Sequence, residues 1–254
     1  MIALNDRIQT GVKGFDELVE GGLPKNSLIL VTGGAGTGKS IFTQQVLVNN
    51  AKKGLKCAYI SFEQKAEDIK KQMDCFDWTV DELIKDGSIQ IISMNPASPK
   101  FIEYLSSVKA DLLVIDSLSS LVATPLVARD IGQGKIVEIA GRFVNMPSDI
   151  ESLHRMRVKS VLDIVRNLGN TTFVISEILE NSPGLSRDTL SEFLADGVII
   201  LKYTPMVGQE NRSIQVRKMR LTKIFPGSFS FDFSKKGIEL ESTNSEDKTW
   251  ALKK

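Results

Sequence analysis

Residues 33–40 read Gly-Gly-Ala-Gly-Thr-Gly-Lys-Ser, with Gly33, Gly38, Lys39 and Ser40 at the fixed positions of G-x-x-x-x-G-K-[ST]. An apolar run, Leu28 to Val31, leads into this segment, and a helix-compatible stretch, Ile41 to Lys53, follows it. The order strand, glycine-rich loop, helix constrains the chain strongly. The glycines let the backbone curl until several N–H groups face one centre. The start of the helix adds free N–H groups and a positive dipole end. Such a cradle suits a polyphosphate tail. The backbone of Gly33, Gly34, Ala35, Gly36, Thr37 and Gly38 would line it, Lys39 would reach the β- and γ-phosphates, and the Ser40 hydroxyl would ligate Mg2+.

The rest of the chain is consistent with one α/β unit. At 254 residues, 42% hydrophobic and 25% charged, it can build a sizeable core without metal or disulfide support. A net charge of +1 gives no global electrostatic case for nucleic acid or a membrane surface. Cys57 and Cys75 are far apart and read as reduced thiols of a cytoplasmic protein, and a lone histidine, His154, gives a His-based triad or metal site little to draw on. The sequence shows neither a secretory signal nor a span of 18 apolar residues, so no membrane is expected.

Short apolar runs at Leu28–Thr32, Cys57–Phe62, Ile89–Ser93, Leu112–Ile115 and Thr172–Ile175 alternate with helical stretches, as parallel strands covered on both faces do. The helical stretches are Lys39–Lys53, Lys65–Phe76, a short helix opened by a Thr79/Glu82 capping box, Ser98–Lys109, and one opened by Ser148/Glu151. After about residue 195 the pattern changes. Val198–Tyr203, Ser213–Met219 and Ser228–Phe233 read as antiparallel strands added at the sheet's C-terminal side. The expected fold is a three-layer α/β/α P-loop nucleotide-binding core with a mostly parallel central sheet, residues 1–240 forming one domain and 241–254 a polar tail.

Leu112-Leu113-Val114-Ile115-Asp116 is a buried strand ending in a carboxylate, the second acid such a loop needs, and Mg2+ accepts few protein ligands, so Ser40 and Asp116 suffice. Glu63 ends the strand Cys57–Phe62. If that strand neighbours the P-loop strand, Glu63 emerges at the carboxyl edge, able to deprotonate an attacking water. Glu177, after another core strand, is its rival. Lys218 and Arg220 share one face of a late basic strand, which could be a solvated face, an anion site, or a source of cations for a neighbouring subunit's nucleotide.

Further segments carry a resemblance. Thr10-Gly11-Val12-Lys13-Gly14-Phe15-Asp16-Glu17-Leu18 with Gly21-Gly22-Leu23-Pro24, then Phe62-Glu63, Asp196-Gly197-Val198-Ile199-Ile200-Leu201 and Lys218-Met219-Arg220 resemble the KaiC-like branch of the RecA superfamily of ATPases, over about Thr10 to Phe233. It is the single-domain archaeal type that the chain resembles. The resemblance implies a RecA-like core binding ATP and Mg2+, assembled into rings, commonly hexamers, with ATP at subunit boundaries. It also implies that Glu63 is the catalytic glutamate and that Lys218 and Arg220 reach the adjacent subunit's nucleotide. Glu63-Gln64 stands where the family often has two acids, the residues after Arg220 depart from its pattern, and 122–146 aligns with nothing in it.

Three roles follow from this resemblance: an ATP-driven oligomeric regulatory switch, an accessory protein of the recombinase-paralog kind binding single-stranded DNA in repair, and, more weakly, an autokinase. The loops after the Asp116 and Ser176 strands hold Arg129, Lys135, Arg142 and Arg187, diluted by Asp130, Glu138, Glu180 and Asp188. Phe143 and Phe193 are their only candidates for base stacking, and both read as ordinary core residues.

Overall fold

The computed structural model describes residues 6–96, 98–123, 128–131, 134–139, 142–145, 150–178, 184–206 and 209–241. Its strands are β1 (Arg7–Ile8), β2 (Leu23–Pro24), β3 (Leu28–Gly33), β4 (Cys57–Ser61), β5 (Ile89–Ser93), β6 (Leu112–Asp116), β7 (Ala128–Ile131), β8 (Gly134–Ile139), β9 (Arg142–Asn145), β10 (Thr171–Glu177), β11 (Gly197–Met206), β12 (Gln209–Met219), β13 (Phe229–Ser234) and β14 (Gly237–Leu240). The helices are α1 (Lys39–Ala51), α2 (Ala66–Asp74), α3 (Val80–Lys85), α4 (Pro99–Ser107), α5 (Leu118–Ala123), α6 (Ile150–Asn167) and α7 (Ser191–Leu194).

Nine strands form the central sheet in the order β14-β13-β12-β11-β3-β10-β6-β4-β5. From β11 to β5 every pairing is parallel; from β11 outward to β14 every pairing is antiparallel. The mixed, mostly parallel α/β sheet expected from the apolar alternation is therefore present. Period-two alternation in the strands divides the core between the two faces. Ile29, Val31, Tyr59 and Val114 pack with Phe42, Val46 and Leu47 of α1 and with Ile69 and Met73 of α2. Leu28, Leu30, Ile60 and Ile115 face the other way, onto Phe101 and Leu105 of α4 and Val158, Val161, Leu162 and Val165 of α6. This is why the runs of β3, β4 and β6 are buried at every position: neither face of these strands meets solvent.

Several expectations need correction. The strand at Val198–Tyr203 is not part of an antiparallel set at the edge. It lies within β11, which runs parallel to β3 with Val198 opposite Leu30, and only β12 to β14 are antiparallel additions. The physical reason is the return path: residues between β10 and β11 bring the chain back to the start of β3, where the Asp196 N–H donates to the Leu28 carbonyl at 2.7 Å. Among its described residues that crossover carries only the four-residue α7, too short to leave a helical period in the sequence. The Thr79/Glu82 capping box does not form. Thr79 is left-handed at φ 51°, and its hydroxyl donates to the Trp78 carbonyl instead. Ser148 of the second capping box lies outside the described residues, as does 242–254 of the tail. Within 122–146, β7, β8 and β9 form a separate three-stranded antiparallel sheet. Strand β14 had no counterpart in the reading of the sequence.

The two cysteines differ sharply. Cys57 opens β4 and is 2% exposed, and burial pushes its thiol up to about 12, with Asp111 adding to the shift; Cys75 lies exposed just after α2. Because the thiolate is the reactive form, an aromatic disulfide reagent at pH 8 should titrate one thiol of the native chain rapidly and both in guanidinium. Rapid native reaction of both would contradict the packing of β4.

Candidate functional site

The P-loop follows β3 directly, at the sheet edge where the parallel strands end. Gly33 has φ +154°, and a Cβ there would stand 2.1 Å from the Leu201 carbonyl oxygen of β11, so no side chain fits. Gly38, with φ +98°, turns the chain into α1 in a left-handed conformation, and a Cβ on it would meet the Phe233 ring at 2.9 Å. Backbone angle thus favours glycine at both positions, and at Gly33 space requires it.

Lys39 opens α1. It is 8% exposed, and its ammonium donates to the Gly34 carbonyl across the loop at 2.7 Å. Burial lowers its pKa, while the negative charges of Glu177, Asp116 and Glu63 act in the opposite direction. Acids at or just past the ends of three strands thus share the electrostatic environment of this ammonium. The Ser40 hydroxyl, next in α1, donates to Asp116 Oδ2 at 2.8 Å. The same oxygen accepts the Tyr59 hydroxyl at 2.5 Å. Burial pushes the Asp116 carboxyl above its usual range; the Tyr59 and Ser40 hydrogen bonds oppose this, Glu63 adds to it, and Lys39 opposes it. Tyr59 is itself pushed well above the ordinary phenol range, first by burial and then by Asp116, so it remains a donor.

Glu63 lies just past β4. The condition first set for it fails: β10 and β6 separate β4 from β3. Glu63 instead comes beside the end of β6, because Ser61 pairs with Asp116. Its Oε1 accepts the Ser117 hydroxyl at 2.5 Å and the Ser120 hydroxyl at 2.8 Å. The rival, Glu177, ends β10; its backbone N–H donates to Ser119 Oγ at 3.0 Å and its carboxylate lies 3.9 Å from Arg187. Serines just after β6 and in α5 thus hold the Glu63 carboxylate and the Glu177 backbone.

The structure brings together the P-loop, Lys39, Ser40, Asp116 and Glu63. It does not bring Lys218 and Arg220 to them. Lys218 pairs with Val198, and Val198 with Leu30, so Lys218 sits three residues back from Gly33 along the strand direction, about 10 Å. Its ammonium donates to the carbonyls of Ala195 (2.7 Å), Phe193 (3.2 Å) and Glu192 (3.3 Å). Arg220 pairs with Asp196 at 2.8 Å. Phe193, expected in the core, is 70% exposed: α7 turns it outward. The side chains of Arg129, Lys135, Arg142 and Phe143 lie outside the described residues. Tyr59 and the serines at 117, 119 and 120 escaped the sequence reading, as did the pairing of Asp196 with Arg220. The available signal for Tyr59 was a phenol in a run otherwise buried on both faces, which needs a polar partner.

These groups fit a magnesium-bound nucleoside triphosphate. A buried carboxylate pushed toward neutrality beside a serine hydroxyl is a hard-oxygen pair suited to a divalent cation that keeps most of its water. The Lys39 ammonium, parked on a loop carbonyl, is positioned to exchange that carbonyl for a phosphate oxygen.

Comparison with known proteins agrees. The family model described as "ATPase: KaiC" matches residues 8–141 and 144–245, and so takes in nearly all of the stretch that had found no counterpart. A UPF0273 protein of Pyrococcus furiosus is 30% identical over 235 residues, spanning 91% of this chain and 92% of the relative. One from Thermotoga maritima is 28% identical over 233 residues, spanning 91% and 94%. The circadian clock oscillator protein KaiC of Synechococcus elongatus is 25% identical across 92% of this chain, which spans 44% of the clock protein. Among solved structures, a KaiC-like protein from Pyrococcus horikoshii superposes with a TM-score of 0.76 at 28% identity, covering 93% of this chain and 99% of that one.

The buried acid makes a testable demand. The raised pKa of Asp116 means that the folded state bears no penalty below the unfolded pKa and an increasing one as pH rises through the folded pKa. In metal-free buffer Asp116→Asn should therefore melt no lower than wild type at pH 7, with any advantage shrinking toward pH 4, and should lose the stabilisation that Mg-ATP confers on wild type. A marked loss of stability in metal-free buffer at pH 7 would contradict this account.

Proposed function

The chain belongs to the KaiC family of ATPases, and from that premise we propose that it is a magnesium-dependent ATP hydrolase that works as a self-associated, ring-shaped switch. The observation that carries the reading is the junction of Lys39, Ser40 and Asp116 on the P-loop, with Glu63 held beside it. Bound Mg2+ would offset charge on the β- and γ-phosphates. Ser40 and Asp116 would hold that ion, the loop N–H groups and Lys39 would grip the phosphate oxygens, and Glu63 would take a proton from the attacking water. Both serine hydrogen bonds to Glu63 fall on Oε1, which leaves Oε2 to accept that proton.

Two observations support self-association through the Lys218–Arg220 face. First, this pair lies at the wrong end of the sheet to serve its own P-loop, so action on a nucleotide requires a second copy. Second, Phe193 and Leu221, 70% and 74% exposed, flank the pair, and they are the most exposed large hydrophobic residues among those described. Apolar surface around a cationic centre suits a docking face for another copy of this chain.

Calorimetry should show Mg-ATP binding to wild type that is weakened roughly tenfold or more by Lys39→Ala. Absence of binding to wild type at millimolar ATP would refute the reading. Glu63→Gln should retain ATP and slow turnover by roughly 10²-fold or more; unchanged turnover, with loss in Glu177→Gln, would move the base to Glu177. Arg220→Ala and Glu63→Gln chains, each slow alone, should regain activity when mixed, because some interfaces then combine an intact Arg220 with an intact Glu63. Full-rate hydrolysis by a strict monomer would rule out the role in trans.

A further inference from the structure

We propose that Asp196 is the positioning residue for Arg220, fixing the guanidinium before it meets a neighbouring subunit's nucleotide. This rests on the reading that Arg220 acts in trans. Asp196 lies at the start of β11, in the turn after α7, and is held by both its backbone and its carboxylate. Its N–H donates to the Leu28 carbonyl at 2.7 Å, and its Oδ2 accepts the Leu28 N–H at 3.0 Å. The carboxylate is thereby locked to the first residue of β3, the strand whose far end opens the P-loop. Its other oxygen, Oδ1, accepts Arg220 Nη1 at 2.8 Å, and its carbonyl accepts the Arg220 N–H at 2.8 Å. Arg166, itself bonded to the Leu194 carbonyl, brings a second guanidinium to within 3.5 Å of Oδ1.

The pattern exceeds what a stability role needs. Arg220 is 53% exposed, and a half-exposed ion pair contributes little to folding. Its value lies in ordering. A free arginine must lose its rotamer freedom as it meets the reacting phosphate, whereas one already ordered has lost it during folding. A guanidinium has five N–H donors in a fixed fork, so the bond from Nη1 leaves others available for a phosphate. The adjacent segment does the same for Lys218, through the carbonyls of Glu192, Phe193 and Ala195. Residues 192–196 therefore form a bracket that sets both cations relative to β3.

Asp196→Asn tests this, because the amide oxygen can still accept the Leu28 N–H while the charge facing Arg220 is gone. ATP hydrolysis by the assembled protein is measured for wild type, Asp196→Asn, Arg220→Ala and the double variant, together with KM, melting midpoint and oligomer size. The expected result is a kcat lowered about tenfold or more in Asp196→Asn with KM within about twofold, an unchanged midpoint, and a double variant no slower than Arg220→Ala alone. If Arg220→Ala is slow but Asp196→Asn turns over at the wild-type rate, or if the two losses simply add, this proposal is overturned and the trans reading survives. If Arg220→Ala itself is unaffected, both fall. Should Asp196→Asn lower the midpoint, Asp196→Glu decides: stability and rate restored together support positioning through charge, and stability restored without rate overturns it.

Discussion

A single oxygen of Asp116 receives the hydroxyls of Ser40 and Tyr59, and that junction ties together the parts of the molecule on which the site depends. Ser40 belongs to α1, Tyr59 to β4 and Asp116 to β6, so the helix leaving the P-loop and two of the core strands meet at one buried anion. The environment raises the carboxyl's proton affinity because burial strips its water, and two neutral donors only partly replace it. The junction is a place where the fold tolerates an unfavourable electrostatic arrangement, and a hard divalent cation would relieve it. Binding and folding would then pull on the same group, which is how a ligand comes to stabilise the state that binds it.

Much of this was legible in the residues. The P-loop and its flanking strand and helix follow from glycine spacing, and Asp116 from an apolar run with one acid at its end. The two-faced core follows from strands such as Leu28–Val31 that are apolar at every position. What escaped depends on neighbours in space. The placement of β4 beyond β10 and β6 cannot be read along the chain, so Glu63 was assigned the right edge of the sheet through an adjacency that does not exist. Parallel β11 was missed because its crossover contains a four-residue helix, below the length at which a 3.6-residue period shows. Thr79 looked like a cap on spacing alone, but its left-handed backbone turns its hydroxyl to the preceding carbonyl. Asp196 carried a family resemblance in sequence, yet nothing along the chain indicated that Leu28 and Arg220 would lie on either side of it.

Charge balance gives the strongest physical reason for the site to be completed from outside. Glu63, Asp116 and Glu177 all act electrostatically on Lys39, and Arg187 lies 3.9 Å from Glu177, so three carboxylates share two cations where a triphosphate would enter. A magnesium ion would offset part of the excess and leave a nucleotide bearing net negative charge beside those acids. On the proposed reading further cations would come from a neighbouring copy, and this chain keeps Lys218 and Arg220 at the opposite end of β3, each already ordered by carbonyls or by a carboxylate. On the proposed reading, a hydrolase built this way would hold back part of its own electrostatics: the charge that favours phosphoryl transfer would arrive only with assembly, and turnover would be coupled to the oligomer. One strand, β3, carries the P-loop at one end, and its first residue holds Asp196, which braces this chain's own Arg220, so on the proposed reading the binding loop and the cation offered to a neighbour share a single rigid element.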